Sequence, residues 1–279
     1  MPFVAEISRA NPTCFVFLID QSGSMSDPLH SVPGSTKADG VADAINRFLD
    51  SLADRCTKGA KILDRYHVSV IGYGSSPGDA SPAFGGGLTG KVIVPISEIG
   101  NNPLRIETRT RKESDGAGGI VERTIRFPIW FEARANTDTP MCKALDVAWG
   151  IVSEFIPQHP NCYPPMVINI TDGEASDGDP EPHASMITSL ASHDGNVLLF
   201  NLHLSSTQAA PLAFPDRAID VPDDYGRMLF RMSSKLPAPM LAVARQEAFK
   251  ITEASRGFAF NADFVTLVKF LDIGTRIGR

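Results

Sequence analysis

Residues 13–20 read Thr-Cys-Phe-Val-Phe-Leu-Ile-Asp, an apolar run of strand length that has no polar alternation and ends in a carboxylate. A strand that is covered on both faces has this pattern, because neither of its faces meets water. We therefore predict that Thr13–Asp20 is a central parallel strand with Asp20 at its carboxyl end.

Strand-like and helix-like segments alternate on the carboxyl side of this run. Apolar residues recur at helical spacing between 38 and 52, which predicts a covering helix. Further strands are predicted at 66–74, 91–96, 166–171, 197–204 and 257–261, and further helices at 141–155, 184–193, 240–255 and 263–273. The alternation predicts an α/β fold with a doubly wound, mostly parallel, Rossmann-like sheet flanked by helices.

Two segments do not fit the simple alternation. Residues 104–112 and 121–131 flank a glycine-rich turn, which predicts a β-hairpin inserted at 100–135. Residues 205–239 are rich in proline and short polar side chains, and we expect a long ordered loop there. Both are expected to belong to a single domain that spans 1–279.

Composition narrows the classes of protein that fit. The chain has 279 residues, 43% of them hydrophobic, and a formal net charge of -6 from 32 acidic and 26 basic side chains. This charge does not favour binding to nucleic acid or to an anionic membrane. The first residues lack the apolar core of a signal peptide, and the apolar runs are too short to span a bilayer. The four cysteines form no CxxC pair. We therefore expect a cytoplasmic protein with reduced thiols.

The candidate functional residues follow two of the predicted strands. Asp20 is followed by Ser22 and Ser24, and Asp172 comes directly after strand 166–171. The carboxyl ends of parallel strands are where open α/β sheets bind ligands. Carboxylates placed there must be solvated or neutralised, and all the nearby ligand atoms are oxygens, so we expect a hard divalent cation: Mg²⁺ first, then Mn²⁺ or Ca²⁺. We expect the 205–239 loop to lie near this metal face.

These residues also carry a resemblance to a known family. Asp20-Gln21-Ser22-Gly23-Ser24 after an apolar strand, Thr139-Pro140 before a helix, and Asp172-Gly173 after a later strand resemble the metal-ion-dependent adhesion site of von Willebrand factor A domains. All three parts occur in the family's order. The resemblance extends from Thr13 to the last predicted helix.

The resemblance has implications for the site. It implies that Ser22, Ser24 and Thr139 contact the metal directly, that Asp20 and Asp172 act largely through water, and that an open coordination position accepts an acidic group of a partner. The overall plan and the C-terminal sequence are similar to stand-alone bacterial tellurite-resistance-type A-domain proteins. That similarity implies a role in bacterial stress response or signalling, with a kinase, a phosphatase or a MoxR-like AAA+ ATPase as partner.

Several alternatives stay open at this stage. The family usually has glycine before the threonine, whereas this chain has Asp138, so Thr137 is an alternative ligand to Thr139. The acidic segment 174–181 could bind a second cation, although a solvated loop leading into a helix is the commoner explanation. The mixed charges of the hairpin favour a solvated ribbon over a dedicated partner surface.

The resulting functional hypothesis is a non-enzymatic, metal-dependent interaction module. The rival is an enzyme in which the same Mg²⁺ polarises a phosphoryl or carbonyl oxygen while Asp172 or Glu174 handles a water molecule. No convincing nucleophile or general base accompanies the metal ligands in the sequence. Cys142 lies just past Thr139-Pro140 and could be a reactive thiol, but a small buried residue on the helix is the favoured interpretation. A third hypothesis is a structural domain whose site holds no metal.

Overall fold

The computed structural model describes residues 3–29, 34–114, 119–205, 209–261 and 269–270. The strands are β1 (Thr13–Asp20), β2 (Thr57–Lys58), β3 (Lys61–Ile62), β4 (Tyr66–Tyr73), β5 (Ala80–Pro82), β6 (Val94–Pro95), β7 (Arg105–Ser114), β8 (Ile120–Ile129), β9 (Met166–Thr171), β10 (Ala191–Ser192), β11 (Gly195–Asn196), β12 (Leu198–His203), β13 (Leu212–Ala213) and β14 (Phe258–Phe260). The helices are α1 (Lys37–Cys56), α2 (Ile96–Asn101), α3 (Met141–Gln158), α4 (Glu181–Ser189), α5 (Asp224–Met232) and α6 (Ala238–Gln246).

One large sheet organises the molecule. Its strand order is β13-β14-β12-β9-β1-β4-β5, and β6 also pairs with β4. Strands β14, β12, β9, β1 and β4 run parallel, while β5, β6 and β13 are short antiparallel additions. The strand order reverses at β1, since the chain goes from β1 to β4 on one side and returns to β9 on the other. The predicted α/β, doubly wound, mostly parallel fold is confirmed.

The side chains of β1 alternate between two hydrophobic layers. Phe15 and Phe17 face α1, where both contact Phe48 with ring centroids 5.7 and 5.3 Å apart. Val16 and Leu18 face the opposite layer, which α3, α4 and α5 cover. Every residue of β1 is buried. Both faces are apolar because both are covered by helices, and this explains the unbroken apolar run in the sequence.

The inserted hairpin is attached to α1 at its base. Strands β7 and β8 pair over their whole length, from Arg105 opposite Ile129 to Ser114 opposite Ile120. The buried amide of Asn46 on α1 accepts hydrogen bonds from the backbone N–H groups of Trp130 and Phe131 and donates one to the Phe131 carbonyl. The end of β8 therefore belongs to the packed core.

One predicted strand is shorter than expected, and one predicted loop contains a helix. The strand expected at 91–96 is only the two-residue β6, because α2 begins at Ile96, where Asp64 accepts a hydrogen bond from the Ser97 N–H. The loop expected at 205–239 contains helix α5, which Asp223 caps by accepting from the Gly226 N–H at 2.6 Å. Leu229, Phe230 and Met232 bury the inner face of this helix, which is too short to show a clear period in the sequence.

Two helices end before their predicted boundaries. The helix predicted at 184–193 is α4, which ends at Ser189 and is followed by the β10–β11 hairpin. The helix predicted at 240–255 is α6, which ends at Gln246, shortly before Ala248 adopts a positive φ of 62°. The helix predicted at 263–273 lies outside the described residues, except for 269–270.

No helix in the described ranges is long and apolar enough to cross a membrane.

Candidate metal centre

The carboxyl ends of β1 and β9 bring the two predicted carboxylates to the same edge of the sheet. The strands are neighbours, with Ile19 opposite Ile170, so Asp20 and Asp172 follow at adjacent strand ends. Asp20 is fully enclosed: its Oδ1 accepts from the Ser22 N–H at 2.8 Å and its Oδ2 accepts from the Thr171 hydroxyl at 2.6 Å. Thr171 is a site residue that the sequence analysis did not identify.

The two serines link these carboxylates. Their hydroxyl oxygens lie 3.1 Å apart, within hydrogen-bond distance, and the Ser24 hydroxyl donates to Asp172 Oδ1 at 2.7 Å. The loop that carries them is bound to the 137–139 loop, because the Gly23 N–H donates to the Thr137 carbonyl at 3.0 Å. Four of the five predicted site residues are therefore joined by a continuous series of short polar contacts.

The threonine loop distinguishes the two candidate threonines. The Thr137 hydroxyl donates to the Gly74 carbonyl and lies 2.9 Å from Asp138 Oδ1, so it takes part in holding the loop. Thr139 is buried, and its hydroxyl forms no hydrogen bond within the described part of the chain. This hydroxyl lies 4.0 Å from the point that a Cβ on Gly173 would occupy, beside Asp172. Thr139 is the better placed of the two to offer a free oxygen.

A lysine that the sequence analysis did not identify also belongs to the site. Lys37 is the first residue of α1, and its Nζ lies 2.7 Å from Asp172 Oδ2 and 3.5 Å from Asp27 Oδ2. The Lys37 side chain is only 5% exposed and that of Asp172 is fully buried. No sequence signal indicates this contact, because it joins residues 135 positions apart.

Burial controls the electrostatics of the site. It raises the pKa of Asp20 to about 6, although hydrogen bonds from Thr171 and Ser22 lower it, and the charge of Asp172 raises it further. The Lys37 ammonium group contacts Asp172 and the half-exposed Asp27, so it offsets at most one of the two buried negative charges. A divalent cation coordinated by the serine and threonine hydroxyls would offset the remaining negative charge, so the donor set fits a hard cation.

The acidic segment after Asp172 already has protein partners. Asp177 accepts from the backbone N–H groups of Cys142 and Lys143 at the start of α3, and Asp179 accepts from the Glu181 N–H. Glu174 accepts from the Tyr225 hydroxyl at 2.6 Å, and Glu181 pairs with Arg231. The described residues contain no group of three or more His, Cys, Asp and Glu side chains suited to a metal. These contacts favour a capping and pairing role over a second cation.

The thiol next to the site is buried and its pKa is raised. Cys142 is 5% exposed, and burial, followed by the charge of Asp177, raises its pKa to about 12. The thiolate is the nucleophilic form of cysteine, so a raised pKa keeps this side chain inert near neutral pH. The other cysteines, Cys14, Cys56 and Cys162, are also buried and free.

Comparison with protein-family models gives no match, and comparison with curated proteins gives none either. Among solved structures, the manganese-loaded TRAP protein of Plasmodium vivax matches at 12% identity, with 95% of this chain and 74% of that chain covered and a TM-score of 0.46. The PilB minor pilin of Streptococcus sanguinis matches at 11% identity over 96% of this chain and 62% of that chain, with a TM-score of 0.44. The pilus adhesin RrgA of Streptococcus pneumoniae matches at 16% identity over 61% and 21%, with a TM-score of 0.31. These values are too low to transfer a role to this chain.

Proposed function

We propose that this chain is a divalent-metal-dependent protein-interaction module that binds an acidic group of a partner at the cation. The observation that carries the proposal is the connected set of oxygens formed by Asp20, Ser22, Ser24 and Asp172, with the free hydroxyl of Thr139 beside it. Mg²⁺ is the cation we expect first, then Mn²⁺ or Ca²⁺, because every donor is a hard oxygen.

The donor types suggest how the site would act. Following the resemblance to von Willebrand factor A domains, Ser22, Ser24 and Thr139 would contact the cation and the two aspartates would act through water. Neutral hydroxyls do not cancel the charge of a cation, so the bound ion would keep an affinity for an anionic oxygen. A carboxylate from Asp or Glu of a partner protein is the ligand that this chemistry favours.

The surroundings of the site favour binding over catalysis. The enzyme alternative needs Asp172 or Glu174 to handle a water molecule. Asp172 already accepts hydrogen bonds from Ser24 and Lys37, and Glu174 accepts one from Tyr225. Both oxygens of Asp172 and one oxygen of Glu174 are therefore engaged by protein donors, which leaves them less available to take a proton from a water molecule. We therefore propose a module without catalytic activity of its own.

The partner class is proposed from the resemblance to tellurite-resistance-type proteins. A bacterial cytoplasmic kinase, phosphatase or MoxR-like AAA+ ATPase that exposes an Asp or Glu side chain is the first candidate. No role for nucleic acid or a membrane surface is proposed, because the net charge of the chain is -6.

Calorimetric titration of the metal-free protein with Mg²⁺, Mn²⁺ and Ca²⁺ tests the site. The double variant Asp20→Ala/Ser22→Ala should lose cation binding and the cation-dependent rise in Tm, whereas Ser185→Ala, an exposed serine on α4, should keep both. Candidate partners should be retained on the immobilised protein with Mg²⁺ and released by chelator. Equal retention in chelator, or equal cation binding by the double variant, would refute the proposal.

A further inference from the structure

Lys37 occupies an unusual position for a basic residue. It is the first residue of α1, and the helix dipole gives this end of the helix a partial positive charge. An acidic side chain is favourable at this end, and Asp39 supplies one. An ammonium group at this helix end is locally unfavourable. Its side chain nevertheless turns inward, is almost fully buried, and contacts a fully buried oxygen of Asp172 at 2.7 Å. The contact with Asp172 therefore compensates for an unfavourable helix position and for the desolvation of both groups.

The lysine changes the charge of the site. The buried side chains of Asp20 and Asp172 contribute two negative charges and that of Lys37 one positive charge, so the buried part of the site has a formal charge of -1 without a cation. Asp27 also lies 3.5 Å from the Lys37 Nζ, but its side chain is 52% exposed, so solvent screens its charge. A divalent cation brings it to +1. Without Lys37, the same cation would leave a neutral site, which attracts a carboxylate far less strongly in a partly buried environment.

We propose that Lys37 is a built-in counter-ion that weakens cation binding and leaves the loaded site positive, so that the site selects an anionic ligand. This inference rests on the proposed function, since it concerns the same cation. Lys37 repels the cation and holds Asp172 Oδ2, while Ser24 holds Asp172 Oδ1. Asp172 is thereby restrained on both oxygens, and the cation-loaded site keeps a net positive charge that attracts an anionic group of the partner.

The test compares three lysine variants with the native chain. Lys37→Met removes the charge, Lys37→Arg keeps it, and Lys58→Met removes an exposed charge just beyond the other end of α1, about 30 Å away for a helix of this length. Mn²⁺ is titrated into each metal-free protein by calorimetry, first alone, then with acetate as a small carboxylate, and then with uncharged acetamide. Lys37→Gln, which can still donate a hydrogen bond to Asp172, replaces Lys37→Met if circular dichroism shows that the latter is unfolded.

We expect Lys37→Met to bind Mn²⁺ at least about tenfold more tightly than the native chain, because a like charge has been removed from a buried site. Lys37→Arg and Lys58→Met should bind as the native chain does. Acetate, and not acetamide, should tighten Mn²⁺ binding to the native chain, and this effect should disappear in Lys37→Met. If Lys37→Met binds Mn²⁺ no more tightly, or keeps the acetate effect, Lys37 has only a structural role and the inference is wrong.

The same titrations separate this inference from the proposed function. If the native chain binds no cation while Lys37→Met does, the metal-dependent function fails for the native chain and the counter-ion role of Lys37 is supported. If neither protein binds a cation, both proposals fail.

Discussion

The Ser24 hydroxyl donates a hydrogen bond of 2.7 Å to Asp172 Oδ1, joining two residues that are 148 positions apart in the chain. The bond connects the loop after β1 to the end of β9, so a direct protein contact holds the two halves of the candidate site together. Contacts of this kind lower the cost of ordering the loops when a ligand binds. This arrangement makes each donor testable by single substitution.

Substitution of the two threonines of the 137–139 loop should affect different properties, Mg²⁺ affinity for Thr139 and stability for Thr137. Thr139→Val removes a hydroxyl that is free for a cation, so it should weaken Mg²⁺ binding and change the stability of the metal-free protein little. Thr137→Val removes the hydrogen bond to the Gly74 carbonyl, so it should lower the free energy of unfolding by about 1 kcal/mol and keep Mg²⁺ affinity. Calorimetry and urea unfolding measure the two quantities. The reverse pattern would identify Thr137 as the ligand.

The main sheet and the proximity of four candidate site residues could be predicted because their signals are local. An unbroken apolar run such as 13–20 indicates a doubly covered strand, and a carboxylate directly after it must lie at the carboxyl end. The Asp20, Ser22 and Ser24 spacing is likewise contained within one loop. The alternation of strands and helices then orders the sheet, because parallel strands need crossover connections.

The features that were missed depend on contacts between distant residues. Lys37 reaches Asp172 only once α1 has packed against the loop after β1, and Thr171 reaches Asp20 only because β1 and β9 are neighbours. Helix α5 has only nine residues, so its buried positions could not be separated from a proline-rich loop. The strand within 91–96 is shorter than the apolar composition suggested, because α2 begins at Ile96 and Asp64 accepts a hydrogen bond from the Ser97 N–H.

Gly74 should be indispensable for the geometry of the threonine loop. It has a φ of 85°, and a Cβ at this position would lie 2.1 Å from the Asp138 carbonyl oxygen. Gly74→Ala should therefore displace the 137–139 loop, lower the free energy of unfolding by more than about 3 kcal/mol and weaken Mg²⁺ binding.

Gly59 provides the matched control for this substitution. It has a similar φ of 62°, and no heavy atom of the described residues lies within 4 Å of the point that a Cβ on Gly59 would occupy. Gly59→Ala should thus cost only about 1 kcal/mol of backbone strain and keep Mg²⁺ affinity. Urea unfolding and calorimetry compare the pair. Equal losses in the two variants would mean that contact with the Asp138 carbonyl is unimportant.

The acidic segment should not contribute a second cation. Asp177 accepts from two backbone N–H groups at the start of α3, at 3.0 and 2.9 Å. Asp177→Ala should thus lower the free energy of unfolding by about 1 kcal/mol, as the loss of a helix cap does. The calorimetric stoichiometry should stay at one cation per chain, as it should in Asp54→Ala, an exposed carboxylate on α1. A stoichiometry of two in the native chain that falls to one in Asp177→Ala would contradict this assignment.

Acid should destabilise the protein partly through His67. Burial lowers the pKa of His67 below its ordinary value of 6.5, the charge of His159 lowers it further, and Asp64 opposes the shift. Its ring lies against those of Phe155 and His159, with centroids 5.6 and 5.7 Å away. The unfolded chain therefore takes up a proton at a higher pH than the folded chain does, so stability falls as the pH drops below 6.5 towards the lowered pKa.

Replacing this histidine should make the acid side of the stability profile shallower. His67→Phe keeps a ring against Phe155 and removes the titrating group, so it should lose less free energy of unfolding between pH 7 and pH 5 than the native chain. Urea unfolding in chelator at several pH values measures the slopes without interference from bound cations. His193→Phe, at an exposed histidine, should keep the native slope. If His67→Phe and the native chain lose stability in parallel, the half-buried His67 ring is not a source of the acid sensitivity.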